Sequence, residues 1–146
     1  MAITKNGGRQ NPLVARVEFD WEDLGTPITA GTVLEAIDLP VGAIVLSGYL
    51  KVLTAWAVAG GTATADIGDA TDPDRYTNAV IDLMATAGTT VELDIENGVA
   101  GAGFEYTAAD TIDLTLVTTV AVSTAGAAEL VVTYIIADRA TEVQPV

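Results

Sequence analysis

The sequence predicts one all-β domain, a sandwich or barrel of short strands, and three observations carry that reading. Apolar and polar residues alternate with a period of two in several segments of five to ten residues. The apolar content is 50% but the aromatic content only 5%, a bias to Ala, Val and Thr that suits pleated sheets. Gly, Pro and Asp punctuate the chain between these segments. At 146 residues the chain has the length of one ordinary domain.

Residues 13–21 place Val17, Phe19 and Trp21 on one face and Arg16, Glu18 and Asp20 on the other, a half-buried strand. A second strand covers 32–39, and Pro40-Val41-Gly42 turns the chain. Residues 43–56 form a long strand in which Gly48 predicts a bulge or bend. Gly60-Gly61 ends it, and residues 62–68 return as its hairpin partner. Residues 69–76 read as a loop around Pro73, and 77–87 as either a short helix over 78–84, capped by Asp74 or Thr77, or a strand. Residues 89–96 alternate Val91, Leu93 and Ile95 with Glu92, Asp94 and Glu96. A short strand is expected at 104–107, after a loose Gly-rich loop. Residues 111–120 and 129–137, joined by a turn at 123–127, read as the clearest hairpin in the chain. The predicted organisation is a flexible basic arm over 1–12, one β-domain over 13–138 and a tail over 139–146, with eight or nine strands and no internal repeat.

The chain has no Cys and no His. Disulfides, thiolate nucleophiles, sulfur-ligated metals and Ser-His-Asp triads are therefore excluded. Twenty acids against six bases give a net charge of −14, which disfavours binding of nucleic acid by the body. The charge is unevenly placed. Lys5, Arg9 and Arg16 precede the first acid, Glu18, while residues 17–146 hold three bases against twenty acids, a net −17. Lys5, Arg9 and Arg16 are thus the candidate partner-binding residues, on a basic extension that docks on an acidic neighbour such as another copy of the chain. The opening residues contain no apolar core of a secretory signal, and no run of 18 apolar residues occurs, so neither secretion nor a membrane partner is expected.

The remaining chemistry is carboxylate chemistry. Asp66, Asp69, Asp72 and Asp74 lie within nine positions, and Asp69, Asp72 and Asp74 are weak candidates for a Ca²⁺ or Mg²⁺ site. Their spacing is not that of an EF-hand loop. The stronger reading makes Asp72 and Asp74 turn and cap residues, with Arg75 neutralising a neighbour. The metal expectation is none, and no cofactor is implied. A pair of acids across a cleft would make a glycoside hydrolase, but twenty acids form many accidental pairs, and Trp21 and Trp56 sit on apolar strand faces as core rather than as a sugar platform. The Gly-rich stretch 99–103 lacks a P-loop's Lys-Ser/Thr ending. Ser47 and Lys51 share a strand face but lie about 13 Å apart at 3.3 Å per residue, too far for proton transfer. No catalytic residue is assigned, and the chain is expected not to be an enzyme.

The run Leu39-Pro40-Val41-Gly42-Ala43-Ile44-Val45, continuing through Val52 and Trp56 to Ile67-Gly68-Asp69-Ala70-Thr71-Asp72-Pro73-Asp74-Arg75-Tyr76, resembles small structural proteins of tailed-bacteriophage head modules. Those proteins carry an L-P-x-G-x-x-V turn-strand followed by a (V/I)-G-D-x-x-D-x-D-x-Y loop, and the similarity spans residues 33–85. The resemblance implies an antiparallel β-sandwich, jelly-roll-like, with an extended N-terminal arm. It implies a capsid decoration (cement) protein on the outside of a phage head, binding the major capsid protein or other virion proteins and forming a homo-oligomer, a trimer first. The alternative is a carbohydrate- or receptor-binding module of a fibre or tail, with Ca²⁺ held by the acidic loop. The absence of Cys suits assembly in a reducing host cytoplasm.

Overall fold

The computed structural model describes residues 11–95, 101–117 and 122–137. They contain eight strands and no helix: β1 (Leu13–Asp20), β2 (Val33–Leu39), β3 (Ala43–Ala59), β4 (Thr64–Gly68), β5 (Ile81–Asp82), β6 (Thr90–Glu92), β7 (Asp110–Leu116) and β8 (Val122–Ile136). Both sheets are antiparallel and four-stranded, with orders β1-β8-β3-β6 and β2-β7-β4-β5. Every connection except β4–β5 crosses from one sheet to the other. Two facing sheets in this order are a jelly roll.

The two-residue period explains the packing. Phe19, Val45, Leu50, Val52, Trp56, Leu130 and Val132 of the first sheet meet Ile37, Leu39, Ala65, Ile67, Ile112, Leu114 and Leu116 of the second, all of them buried. Burial of each larger side chain contributes about 1.5–3 kcal/mol. The interleaved residues face outward: Arg16, Glu18 and Asp20 on β1, Glu129, Val131 and Thr133 on β8. Trp56 is buried and Trp21 half-buried against the core, as their strand faces predicted.

Three expectations from the sequence are corrected, and one left open is decided. Residues 111–120 and 129–137 do not form a hairpin: β7 pairs with β2 and β4, while β8 pairs with β1 and β3. The long strand β3 and its successor β4 likewise lie in different sheets. Alternation reports which face a strand buries and is silent about which strand lies beside it. The predicted turn at 123–127 lies inside β8, which pairs along β3 from Val122 to Ile136. There Gly126 (φ +147°) serves close approach, for a Cβ at this position would run into the Trp56 indole. Residues 77–87 settle as the two-residue strand β5 between turns rather than a helix.

Two smaller expectations fall close to place. The β3 bulge lies between Val45 and Ser47, just before Gly48, and three further irregularities bend β3 between Val52 and Val58. The segment at 104–107 contributes one bridge, Glu105 to Ile44. Gly42 (φ +81°) makes the turn into β3 that Pro40-Val41-Gly42 signals.

Candidate functional site

The acidic loop is a closed structural knot. Chain reversal after β4 carries Asp69 back under its own loop. Its Oδ1 accepts hydrogen bonds from the N–H of Thr71 (2.9 Å) and of Asp72 (2.9 Å) and from the Thr71 hydroxyl (2.6 Å). Its Oδ2 accepts from Arg75 Nε (2.5 Å) and the Tyr106 hydroxyl (3.0 Å). Tyr76 and Tyr106 share a hydroxyl–hydroxyl hydrogen bond of 2.9 Å. The Arg75 guanidinium lies 3.7 Å from the centroid of the Phe104 ring, a cation–π contact. The network joins the loop after β4 to the segment before β7, and Asp69, Arg75, Tyr76 and Tyr106 are all buried.

Electrostatics follow from this geometry. Burial alone would raise the Asp69 pKa, but the hydrogen bonds from Arg75, Thr71 and Tyr106 outweigh it and hold the carboxyl below the ordinary value. Burial pushes the Tyr76 hydroxyl up to about 12. Asp72 is raised by burial and by a hydrogen bond with Asp74.

Of the weak metal candidates Asp69, Asp72 and Asp74, the first two share Arg75, and Asp72 shares a hydrogen bond with Asp74. Asp69 answers to Arg75, Thr71 and Tyr106, and Asp72 lies 3.9 Å from Arg75. No group of three or more such ligands is assembled among the described residues. The neutralising role of Arg75 was legible in sequence; Phe104 and Tyr106 were not, because their contacts with the loop are long-range.

Of the basic candidates, Lys5 and Arg9 lie outside the described residues. Arg16 belongs to β1, where its Nε and Nη2 meet the two carboxylate oxygens of Glu129 at 3.0 and 3.1 Å, and it also pairs with Glu18. This forked pair spans the β1–β8 ladder on the outer face.

Two concavities lined by described residues lie on the outer face of the first sheet. A notch of about 180 Å³ is lined by Glu18, Phe19, Asp20, Asp23, Leu53 and Ala127. Its carboxylates shape the turn after β1: Asp20 Oδ1 accepts the Glu22 N–H (2.8 Å), and Asp23 Oδ2 accepts the Asp20 N–H (2.9 Å). The larger groove, about 330 Å³, is lined by Ser47, Gly48, Tyr49, Glu92, Leu93, Val131 and Thr133. It holds a single carboxylate, which is not the facing pair that glycoside hydrolysis requires.

On the second sheet, Asp113 is buried and stands directly opposite Glu35 of β2. Burial raises its pKa, the Thr111 hydroxyl opposes this at 2.6 Å, and Asp110, Glu35 and Asp69 add to the rise. A carboxyl whose folded pKa is raised destabilises the fold wherever it is ionised in both states. Asp113→Asn keeps an acceptor for Thr111 and is expected to raise stability at pH 7 by about 0.5–1 kcal/mol, the size of a like-charge cross-strand pair. The gain should vanish as the pH falls through the raised pKa to below roughly 4. Melting curves at both pH values check this, and equal stability of the two proteins at pH 7 would refute it.

Taken together, the described residues form a jelly-roll brick with grooved outer faces and a buried polar knot at one end. Neither a family model nor a curated protein matches the sequence. Solved structures do match. A chain of the cyanophage Pam1 capsid asymmetric unit aligns with TM-score 0.68 and 23% identity, over 93% of this chain and 91% of that one. A chain of the acidic stable capsid of Helicobacter pylori bacteriophage KHP30 aligns with TM-score 0.58 and 16% identity, over 86% and 87%. A chain of the capsid of Ralstonia phage GP4 aligns with TM-score 0.56 and 18% identity, over 95% and 92%. These likenesses establish the shared fold.

Proposed function

We propose that the chain is a structural protein of a phage virion, a decoration (cement) protein that binds the outside of the head through protein–protein contacts. The observation that carries this reading is the near-complete alignment, in both directions, with a chain of the Pam1 capsid asymmetric unit. The match extends over nearly the whole of both chains. Two further capsids contain chains of the same fold and comparable length. A jelly roll with a filled core supplies what such a role asks, a stiff block whose surfaces do the work.

In this reading the basic arm, with Lys5 and Arg9, reaches an acidic neighbour on the shell, charge complementarity setting the rate and register of docking. The working unit is a trimer, and assembly takes place in the reducing cytoplasm of the host, where a chain with no Cys loses nothing. The body acts on no small-molecule substrate.

Shells of the phage that encodes the chain, purified without it, provide the test. Wild-type protein should saturate them, with electron microscopy showing added density on the exterior and light scattering giving three times the chain mass in solution. Deletion of residues 2–12 should leave the body folded and weaken binding about tenfold or more, a loss of roughly 1.4 kcal/mol. Equal binding by the truncated protein would remove the arm's role, and absence of exterior density would remove the decoration reading.

A further inference from the structure

The first sheet carries a stripe of mixed apolar and polar residues on its solvent side. Paired register places Val14 of β1 beside Thr133 of β8 and Ser47 of β3, with Arg16, Val131, Tyr49 and Glu92 in the next row. Val14 is 67% exposed and Leu46, extruded by the bulge, 44%. The groove of about 330 Å³ lies among these rows, with Tyr49, Leu93, Val131 and Thr133 in its lining. Gly48 keeps it shaped, since a Cβ there would strike Leu93 and the Val131 carbonyl. Glu92 stands at its rim, exposed and in no ion pair among the described residues.

Leu13, the first residue of β1, pairs with Tyr134 near the end of β8, so the described fold starts and ends at the same end of one sheet, beside that stripe. The residues before and after it are 1–10 and 138–146. Charge separates them. Residues 138–146 contain Asp138 and Glu142 against Arg139, whereas residues 1–10 contain Lys5, Arg9 and no acid. Reach allows the basic segment. From β1 to the groove is two to three strand spacings of about 4.8 Å, and an extended chain covers about 3.3 Å per residue. Ile3 and Lys5 fall on one side of an extended chain, about 7 Å apart, a spacing that sets an apolar anchor in the groove and an ammonium on Glu92.

We propose that the groove between β3, β6 and β8 is the seat of this chain's own N-terminal segment, with Ile3 in the groove and Lys5 against Glu92. The inference stands on the isolated protein and does not depend on the virion reading. Where that reading also holds, the seat is where the arm rests before it engages the shell.

The natural chain has no Cys, so a full-length Ile3→Cys/Ser47→Cys variant contains one designed thiol pair. Under mild oxidation at micromolar protein it should close an intramolecular disulfide about tenfold faster than an Ile3→Cys/Asp82→Cys variant, whose second thiol lies on the other sheet. Adding Glu92→Lys should bring the first rate down toward the second. Equal rates for the two pairs, or no effect of Glu92→Lys, would overturn the proposal. A product that is mainly disulfide-linked dimer would overturn it as well, by assigning the segment to a second copy. Failure of the full-length protein to bind shells, with these rates as expected, would sink only the virion reading.

Discussion

Asp69→Ala is expected to cost about 3 kcal/mol, because it takes from the buried Arg75 guanidinium its closest counter-ion and leaves it the more distant Asp72, at 3.9 Å. Against a total stability of about 5–15 kcal/mol for a domain, the loss is large. The carboxylate is not one contact among many. It satisfies two backbone N–H groups, the Thr71 hydroxyl, Arg75 and Tyr106 at once, so its removal weakens the pairing of the buried Arg75 and Tyr106 and of the loop backbone together. Urea unfolding should show a lower midpoint with little change of slope. Asp69→Ala/Arg75→Met should recover part of the loss, since removing both charges costs less than stranding one. A single variant within 1 kcal/mol of the parent, or a double variant no better than the single, would contradict this account.

The same group has a pH signature of definite sign. Its folded pKa is depressed below 3.8, its ordinary value. The stabilisation is therefore fully present above that value and is lost as the pH falls through the folded pKa. Acid unfolding of the parent should include this loss below pH 3.8, and Asp69→Ala should lack it. Asp113, whose pKa is raised, contributes in the opposite direction, so the slopes of the two variants' stability differences against pH should have opposite signs.

Strand placement was largely legible in the chain, because burial of one face imposes a two-residue period that local sequence must obey. Leu13–Asp20, Val33–Leu39 and Asp110–Leu116 follow it closely. Pairing was not legible. In a jelly roll the sequence neighbours β7 and β8 lie in opposite sheets, and nothing in a strand's own alternation encodes its partner. Glycine was misread for a related reason. At 123–127 it signalled a turn, whereas its missing side chain serves a neighbour more than sixty residues away in sequence. The sequence reading gave the turn chemistry of the acidic loop to Asp72 and Asp74, whereas the carboxylate that accepts the loop N–H groups is Asp69. Tyr106 and Phe104 join it only through the fold. The groove residues Tyr49, Glu92, Leu93 and Val131 come from three strands, and no linear motif could have assembled them.

The packing of Trp56 on Gly126 yields the second large effect. Gly126 sits at φ +147°, a region in which L side chains are strained, and an added Cβ would meet the indole carbons of Trp56. Gly126→Ala therefore combines backbone strain with overpacking and should destabilise by at least about 2 kcal/mol. Trp56→Ala empties a site beside Phe19, whose ring centroid lies 6.0 Å from that of Trp56, and should cost about 3–5 kcal/mol. The two terms are coupled. In a Trp56→Leu background the clash partner is smaller, so Gly126→Ala should cost only the strain, about 1 kcal/mol. The indole Nε1 is buried without a hydrogen-bond partner. Trp56 thus contributes through shape and apolar area, and Trp56→Phe, which removes the unpaired N–H, should be the mildest replacement at this position. Thermal unfolding of the four members of the Gly126/Trp56→Leu cycle measures the coupling directly. Additive costs would mean that the glycine answers to its backbone conformation alone and that the approach of the two strands does not require it.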